Sequence, residues 1–191
     1  MGHLNLVKSL SHFREEQKYS EEVLLDSLGL ALTRGTIAEI TGEASSGRTS
    51  LALNILSKQT REGEVCAVVD LSGSFDPRSA KLAGVALENL FWVKCAGDIE
   101  KAFTAADYLV QAKGFGVIWL NLGGLPRQKL KMVPRTYWYR YRNRIKQTPT
   151  LLSSQPLTRL PELLRTNRSC CHVTRLYGPA AAASSCSGNF T

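Results

Sequence analysis

Between residues 36 and 153 the apolar positions switch repeatedly between short continuous runs and helical spacing. Thr36-Ile37-Ala38-Glu39-Ile40-Thr41 is rich in β-branched residues and predicts a strand. A small-residue turn follows at 42–47. Leu51, Ile55 and Leu56 then recur on one helical face, which predicts a helix over 49–61. Apolar runs at 65–69, 90–93 and 116–120 predict buried strands. Asp98 is placed to cap a helix whose apolar stripe is Ala102, Ala105, Ala106, Leu109 and Val110. Pro134 suits a first helical turn, so a helix is expected to about Lys146, with another strand at 149–152. This rhythm predicts an α/β fold, a mainly parallel sheet flanked by helices with right-handed crossovers. Ligands in such sheets bind at the edge formed by the strand C-termini. After residue 153 the periodicity fails, and residues 180–185 are of low complexity. The expected division is a helical lead-in at 1–34, a core at 35–153 and a basic, low-order, irregular C-terminal tail at 154–191. So abrupt a loss of pattern is what a truncated or frame-shifted C-terminus would produce.

Composition adds limits. The 191 residues are 43% apolar and 21% charged, ordinary globular usage with enough apolar surface for a core. No apolar run is long enough for a membrane-spanning helix, so no membrane role is expected. Residues 1–18 lack the apolar centre of a secretory signal, and Leu6 stands where N-myristoylation needs Ser or Thr. The net charge of +8 is uneven: −1 over residues 1–34, −2 over 35–125 and +11 over 126–191. Such asymmetry suits a polyanionic partner, nucleic acid before membrane. Five cysteines without a C-x-x-C pair do not form a disulfide framework. Cys66 and Cys95 lie in apolar runs as core residues, Cys170-Cys171-His172 lacks a second ligand cluster, and a cytoplasmic setting is expected.

The most informative segment is Gly42-Glu43-Ala44-Ser45-Ser46-Gly47-Arg48-Thr49, followed by Ser50. It has the G-x-x-x-x-G-[basic]-[ST] spacing of a phosphate-binding loop between a strand and a helix. Its glycines allow backbone amides to turn toward phosphate oxygens, and Thr49 would present a hydroxyl to Mg²⁺. Arg48 stands where lysine is usual. It keeps the charge but carries a bulkier planar fork. The strand at 116–120 ends at Asn121, where a nucleotide hydrolase of this class places an aspartate that holds Mg²⁺ through its water shell. Asp70 is the nearest surviving acid, as a metal-shell candidate or as a turn residue.

Residues 34–40 with this loop, Arg61-Glu62-Gly63 leading to Cys66-Ala67-Val68-Val69-Asp70, Phe75-Asp76-Pro77, Ala83-Gly84-Val85 and Glu88-Asn89-Leu90 resemble, in order, the RecA recombinase core. The resemblance covers residues 24–153. Trp138, Arg140, Arg142 and Thr148-Pro149-Thr150 are similar to the short RecA-like proteins of the ImuA type, associated with SOS-induced, error-prone repair. The resemblance implies a RecA-like P-loop core, ATP with Mg²⁺, single-stranded DNA as a partner and a capacity for self-association. It also exposes departures. The family's catalytic glutamate, two residues after the match to Asp70, is Ser72 here, and Asn121 and Arg48 depart as well. ATP binding is therefore expected, with hydrolysis weak or lost.

Residues 127–146 contain eight basic side chains and no acid, with Tyr137, Trp138, Tyr139 and Tyr141 interleaved. Cations bind phosphates and aromatic faces stack on unpaired bases, as a single-strand surface requires. Tyr137, Tyr141 and Ile145 share one helical face and are expected in the core. Arg127, Lys129, Lys131, Arg140 and Arg144 are the nucleic-acid candidates. In the RecA family DNA-contacting loops follow the third strand; here that loop is short, which argues against strand exchange. Two other readings stand beside a DNA-repair ATP-binding protein. One is a degenerate scaffold that binds a recombinase or translesion polymerase. The other is a small P-loop kinase, disfavoured because no lid-like arginine cluster lies between the loop and the third strand.

Overall fold

A computed structural model describes residues 22–25, 29–42, 45–125, 128–129, 133–146, 148, 150–154 and 172–177. Its centre is a six-stranded sheet. Strand β3 (Ile37–Thr41) precedes the phosphate loop and runs parallel to β7 (Leu151–Ser154). Then come β6 (Val117–Asn121), β4 (Cys66–Asp70) and β5 (Leu90–Lys94), all parallel, while β8 (His172–Tyr177) lies antiparallel on the other side of β3. The strand order is β5-β4-β6-β7-β3-β8. The parallel strands β3, β4 and β6 are buried along their whole length, as continuous apolar runs covered on both faces must be.

Alternation along these strands divides the core in two. Ala38, Ile40, Cys66, Val68, Val117 and Trp119 face helix α1 (Arg48–Arg61). Ile37, Ala67, Val69, Ile118 and Leu120 face α3 (Ile99–Ala112) and α4 (Arg135–Ile145). Asp98 caps α3 as expected, its carboxylate accepting from Lys101 N at 3.0 Å. Tyr141 and Ile145 are fully buried and Tyr137 packs beside them, the core face expected of α4. The Tyr141 hydroxyl donates to Phe103 O at 2.6 Å, tying α4 to α3. Cys66 and Cys95 are buried, and desolvation pushes the Cys66 thiol up to about 12.

Three parts of the architecture differ from the sequence expectation. The helical lead-in is a β-hairpin where it is described, β1 (Glu22–Leu25) paired antiparallel with β2 (Leu30–Thr33). Val23, Leu25, Leu30 and Leu32 alternate into the α1 side of the core, a period of two that no helix satisfies. Residues 1–21 lie outside the described residues. Helix α2 (Pro77–Leu82) was not foreseen. Asp76 caps it through Arg78 N and Ser79 N, with Pro77 at its first position. The tail expected to be irregular contributes β8, which covers the β3 edge.

A buried ion pair pins the opposite end of the sheet. Arg34 follows β2 and donates to Glu64 Oε1 at 2.5 Å and Oε2 at 3.0 Å, and also to Gln59 Oε1. Burial pushes the Glu64 carboxyl upward, and the Arg34 charge opposes that shift.

Candidate nucleotide site and basic helix

Strand β3 delivers the chain to Gly42 and α1 begins at Arg48, so the loop sits at the C-terminal edge of the sheet. Glu43 and Ala44 lie outside the described residues. Ser45 has φ 60° and Gly47 φ 85°, two left-handed residues separated by one. Right- and left-handed residues in succession turn neighbouring amides toward a common centre, a nest for an anion. A Cβ on Gly42 would run into Ser46 Oγ and lie 3.2 Å from Ser46 Cβ, so any larger residue there forces the Ser46 side chain to move. The buried Ser46 Oγ has no hydrogen-bond partner among the described residues. A buried hydroxyl left unpaired costs about 1–3 kcal/mol, which a phosphate oxygen would relieve. Helix α1 has no side-chain cap and no acid in its first turn, and its first intrahelical bond runs from Leu51 N to Gly47 O. The amides of Arg48, Thr49 and Ser50 therefore have no intrahelical acceptor, and the positive end of the helix dipole faces the loop. Thr49 and Ser50 are exposed there. A triphosphate fits this lining.

Of the two metal candidates, Thr49 lies at the start of α1 and Asp70 belongs to a separate cluster. Asp70 and Asn121 are register partners at the ends of β4 and β6. Asp70 Oδ1 accepts from Gly73 N at 3.1 Å and Ser74 N at 3.2 Å, and Oδ2 from Phe75 N at 3.0 Å. Asn121 Nδ2 donates to Asp70 Oδ1 at 3.3 Å and to Ser74 Oγ at 2.9 Å, while its Oδ1 accepts from Gly123 N at 3.1 Å. A carboxylate on one side and an N–H on the other fix the amide orientation. Ser72 Oγ donates to Ser74 Oγ at 3.1 Å. The cluster joins the loops after β4 and β6, and Asp70 organises the turn at 71–75. Asp70 stands at the end of β4, three strand spacings from β3.

The basic residues divide. Arg127 and Lys131 lie outside the described residues, and Lys129 is exposed. Arg140 and Arg144 lean onto α3. Arg140 Nη1 pairs with Asp107 Oδ2 at 3.4 Å, and Arg144 Nη1 pairs with Asp107 Oδ1. One carboxylate thus offsets part of their charge. A second stripe of α4 and its C-cap carries the exposed Arg135, Tyr139 and Lys146 and the half-buried Arg142, at i, i+4, i+11 and i+7. The sequence reading did not select this stripe. Helical spacing from the buried Tyr141 and Ile145 was the signal that could have found it.

The model of the RecA N-terminal domain family matches residues 17–125. The chain is 38% identical to Protein RecA of Rhodospirillum rubrum over 108 residues, 53% of this chain and 29% of that protein. It is 37% identical to Protein RecA of Treponema denticola over 104 residues, 53% of this chain and 25% of that protein. The chain thus spans about a quarter to three tenths of the length of these curated relatives. Its fold is similar to the crystal structure of the RadB recombinase, with a TM-score of 0.52 at 17% identity over 69% of this chain and 66% of that one.

Proposed function

Because the chain belongs to the RecA N-terminal domain family, we propose that it is an ATP-binding protein of DNA repair or recombination that meets single-stranded DNA and turns ATP over weakly or not at all. The observation that carries this reading is the phosphate loop, with Ser45 and Gly47 in the left-handed region and a buried, unpaired Ser46 Oγ. When bound, ATP supplies a polyanionic tail. Amides around residues 45–50 would hold its oxygens, Ser46 Oγ would donate to one, and Arg48 would bring a permanent positive charge. Activating a water for attack on phosphorus needs a carboxylate within hydrogen-bond reach. Ser72 is no base, and both oxygens of Asp70 are engaged by the 73–75 amides.

DNA would lie along the second stripe of α4, where Arg135, Arg142 and Lys146 flank Tyr139. Damage-induced mutagenesis is the setting suggested by the similarity to ImuA-type proteins, and self-association fits the family. The test is thermal melting with ATP, together with phosphate release. A ligand at a hundred times its Kd stabilises by about 2.7 kcal/mol, so a clear rise in Tm without turnover is expected. RecA-like turnover abolished by Arg48→Ala would refute the weak-hydrolysis half, and no rise in Tm would refute the binding half.

The Asp70–Asn121–Ser74 cluster favours a second reading, a scaffold that binds a recombinase or translesion polymerase with little nucleotide chemistry. That reading predicts no nucleotide-dependent stabilisation.

A further inference from the structure

We infer that this phosphate loop takes a nucleoside triphosphate without a divalent cation; the inference rests on the ATP-binding reading and specifies its cofactor chemistry. A magnesium ion bridging phosphates keeps several waters, which need acceptors, best carboxylates, on the strand ends beside the loop. Here the donor set does not fit. Asn121, on the strand two spacings from β3 (roughly 10 Å), has no charge. Its amide nitrogen is committed to Asp70 and Ser74, and its oxygen to Gly123 N. Asp70 lies one strand further out, with four donors on its two oxygens. Ser72, two residues on, is a neutral hydroxyl that donates to Ser74. No group of three or more His, Cys, Asp or Glu side chains able to hold a metal exists among the described residues. Among the described residues what remains beside the loop is the Thr49 hydroxyl, one neutral ligand. Charge compensation at the loop therefore comes from Arg48 and from the α1 terminus, neither of which needs a cation.

The Asp70–Asn121 contact also shows what an amide at 121 does beside the retained acid. A carboxylate at 121 would stand about where Asn121 Nδ2 now sits, 3.3 Å from Asp70 Oδ1. Two carboxylates that close either share a proton or recruit a cation. The amide removes both outcomes and closes the cluster by hydrogen bonds.

The experiment is a calorimetric titration of the full chain with ATP, once in excess magnesium chloride and once in excess EDTA. The two Kd values are expected to agree within about threefold. Binding tighter in magnesium by tenfold or more, about 1.4 kcal/mol, overturns the inference while leaving the ATP-binding reading intact. No heat or Tm shift in either buffer overturns both. Asn121→Asp supplies a second readout without nucleotide. Magnesium chloride alone should raise the variant's Tm and leave the wild type unchanged. A magnesium-induced rise in wild-type Tm equal to the variant's would overturn the inference, and the paired wild-type titrations stand even if the variant does not fold.

Discussion

Glu39 lies in the middle of β3, 5% exposed, on the sheet face turned toward α3 and α4. Desolvation alone raises its pKa from the ordinary 4.5 to about 7. The native chain therefore holds this proton over a range where the unfolded chain has released it. Below pH 4.5 both states are protonated and burial carries no charge penalty. Between 4.5 and 7 the native state binds more protons, so stability falls as pH rises, and above about 7 the loss is complete. Each pKa unit corresponds to about 1.4 kcal/mol, so the full loss is about 3 kcal/mol. For a chain of this size that is roughly 6–12 °C in Tm.

Glu39→Gln keeps shape and polarity and removes the titration. Urea unfolding of both proteins from pH 4.5 to 8 should give stability curves that diverge by about 3 kcal/mol, the variant gaining on the wild type as pH rises. Glu64, whose pKa is also raised, contributes a slope of the same sign to both proteins and cancels in the difference. Parallel curves would show that Glu39 is ionised in the native state and that its burial is compensated.

Gly42→Ala should abolish ATP-dependent stabilisation at little cost to the fold, because the added Cβ collides only within the phosphate loop; melting with and without ATP checks it. Asp107→Asn removes the counter-charge shared by Arg140 and Arg144 beside the proposed DNA face and should strengthen single-stranded DNA binding at low salt; polarisation titrations at low and high salt check it. Glu64→Gln removes the counter-charge of the buried Arg34 and should cost about 3–5 kcal/mol in urea unfolding. Tyr141→Phe removes the hydrogen bond that ties α4 to the Phe103 carbonyl and should cost about 0.5–1.5 kcal/mol in the same assay.

The parallel sheet was legible because its strands are buried on both faces, so Cys66–Asp70 and Val117–Asn121 announce themselves as apolar runs. The Asp98 cap and the Gly42–Gly47 spacing were equally plain, since both act over a few residues. The hairpin went unread although Val23, Leu25, Leu30 and Leu32 alternate; four-residue strands offer only two buried positions each. Helix α2 was missed for the same reason of length, though Asp76-Pro77 is a start signal. Long-range pairing lay beyond reach. Nothing local links Asp107 to Arg140 and Arg144, more than thirty residues away, so the arginines read as outward charges.

The same limit explains how the sequence misleads at the strand ends. Read singly, Asp70 is a surviving acid and Asn121 a lost one. Read as register partners they are a single device, because an acid at the end of β4 that accepts three backbone amides has its lone pairs committed to shaping residues 71–75. In this chain the neighbouring strand offers a donor, the Asn121 amide, while its oxygen secures the Gly123 turn. Asn121 therefore ties the two strand-end loops together, and among the described residues the positive charge offered to a phosphate comes from Arg48 and the start of α1.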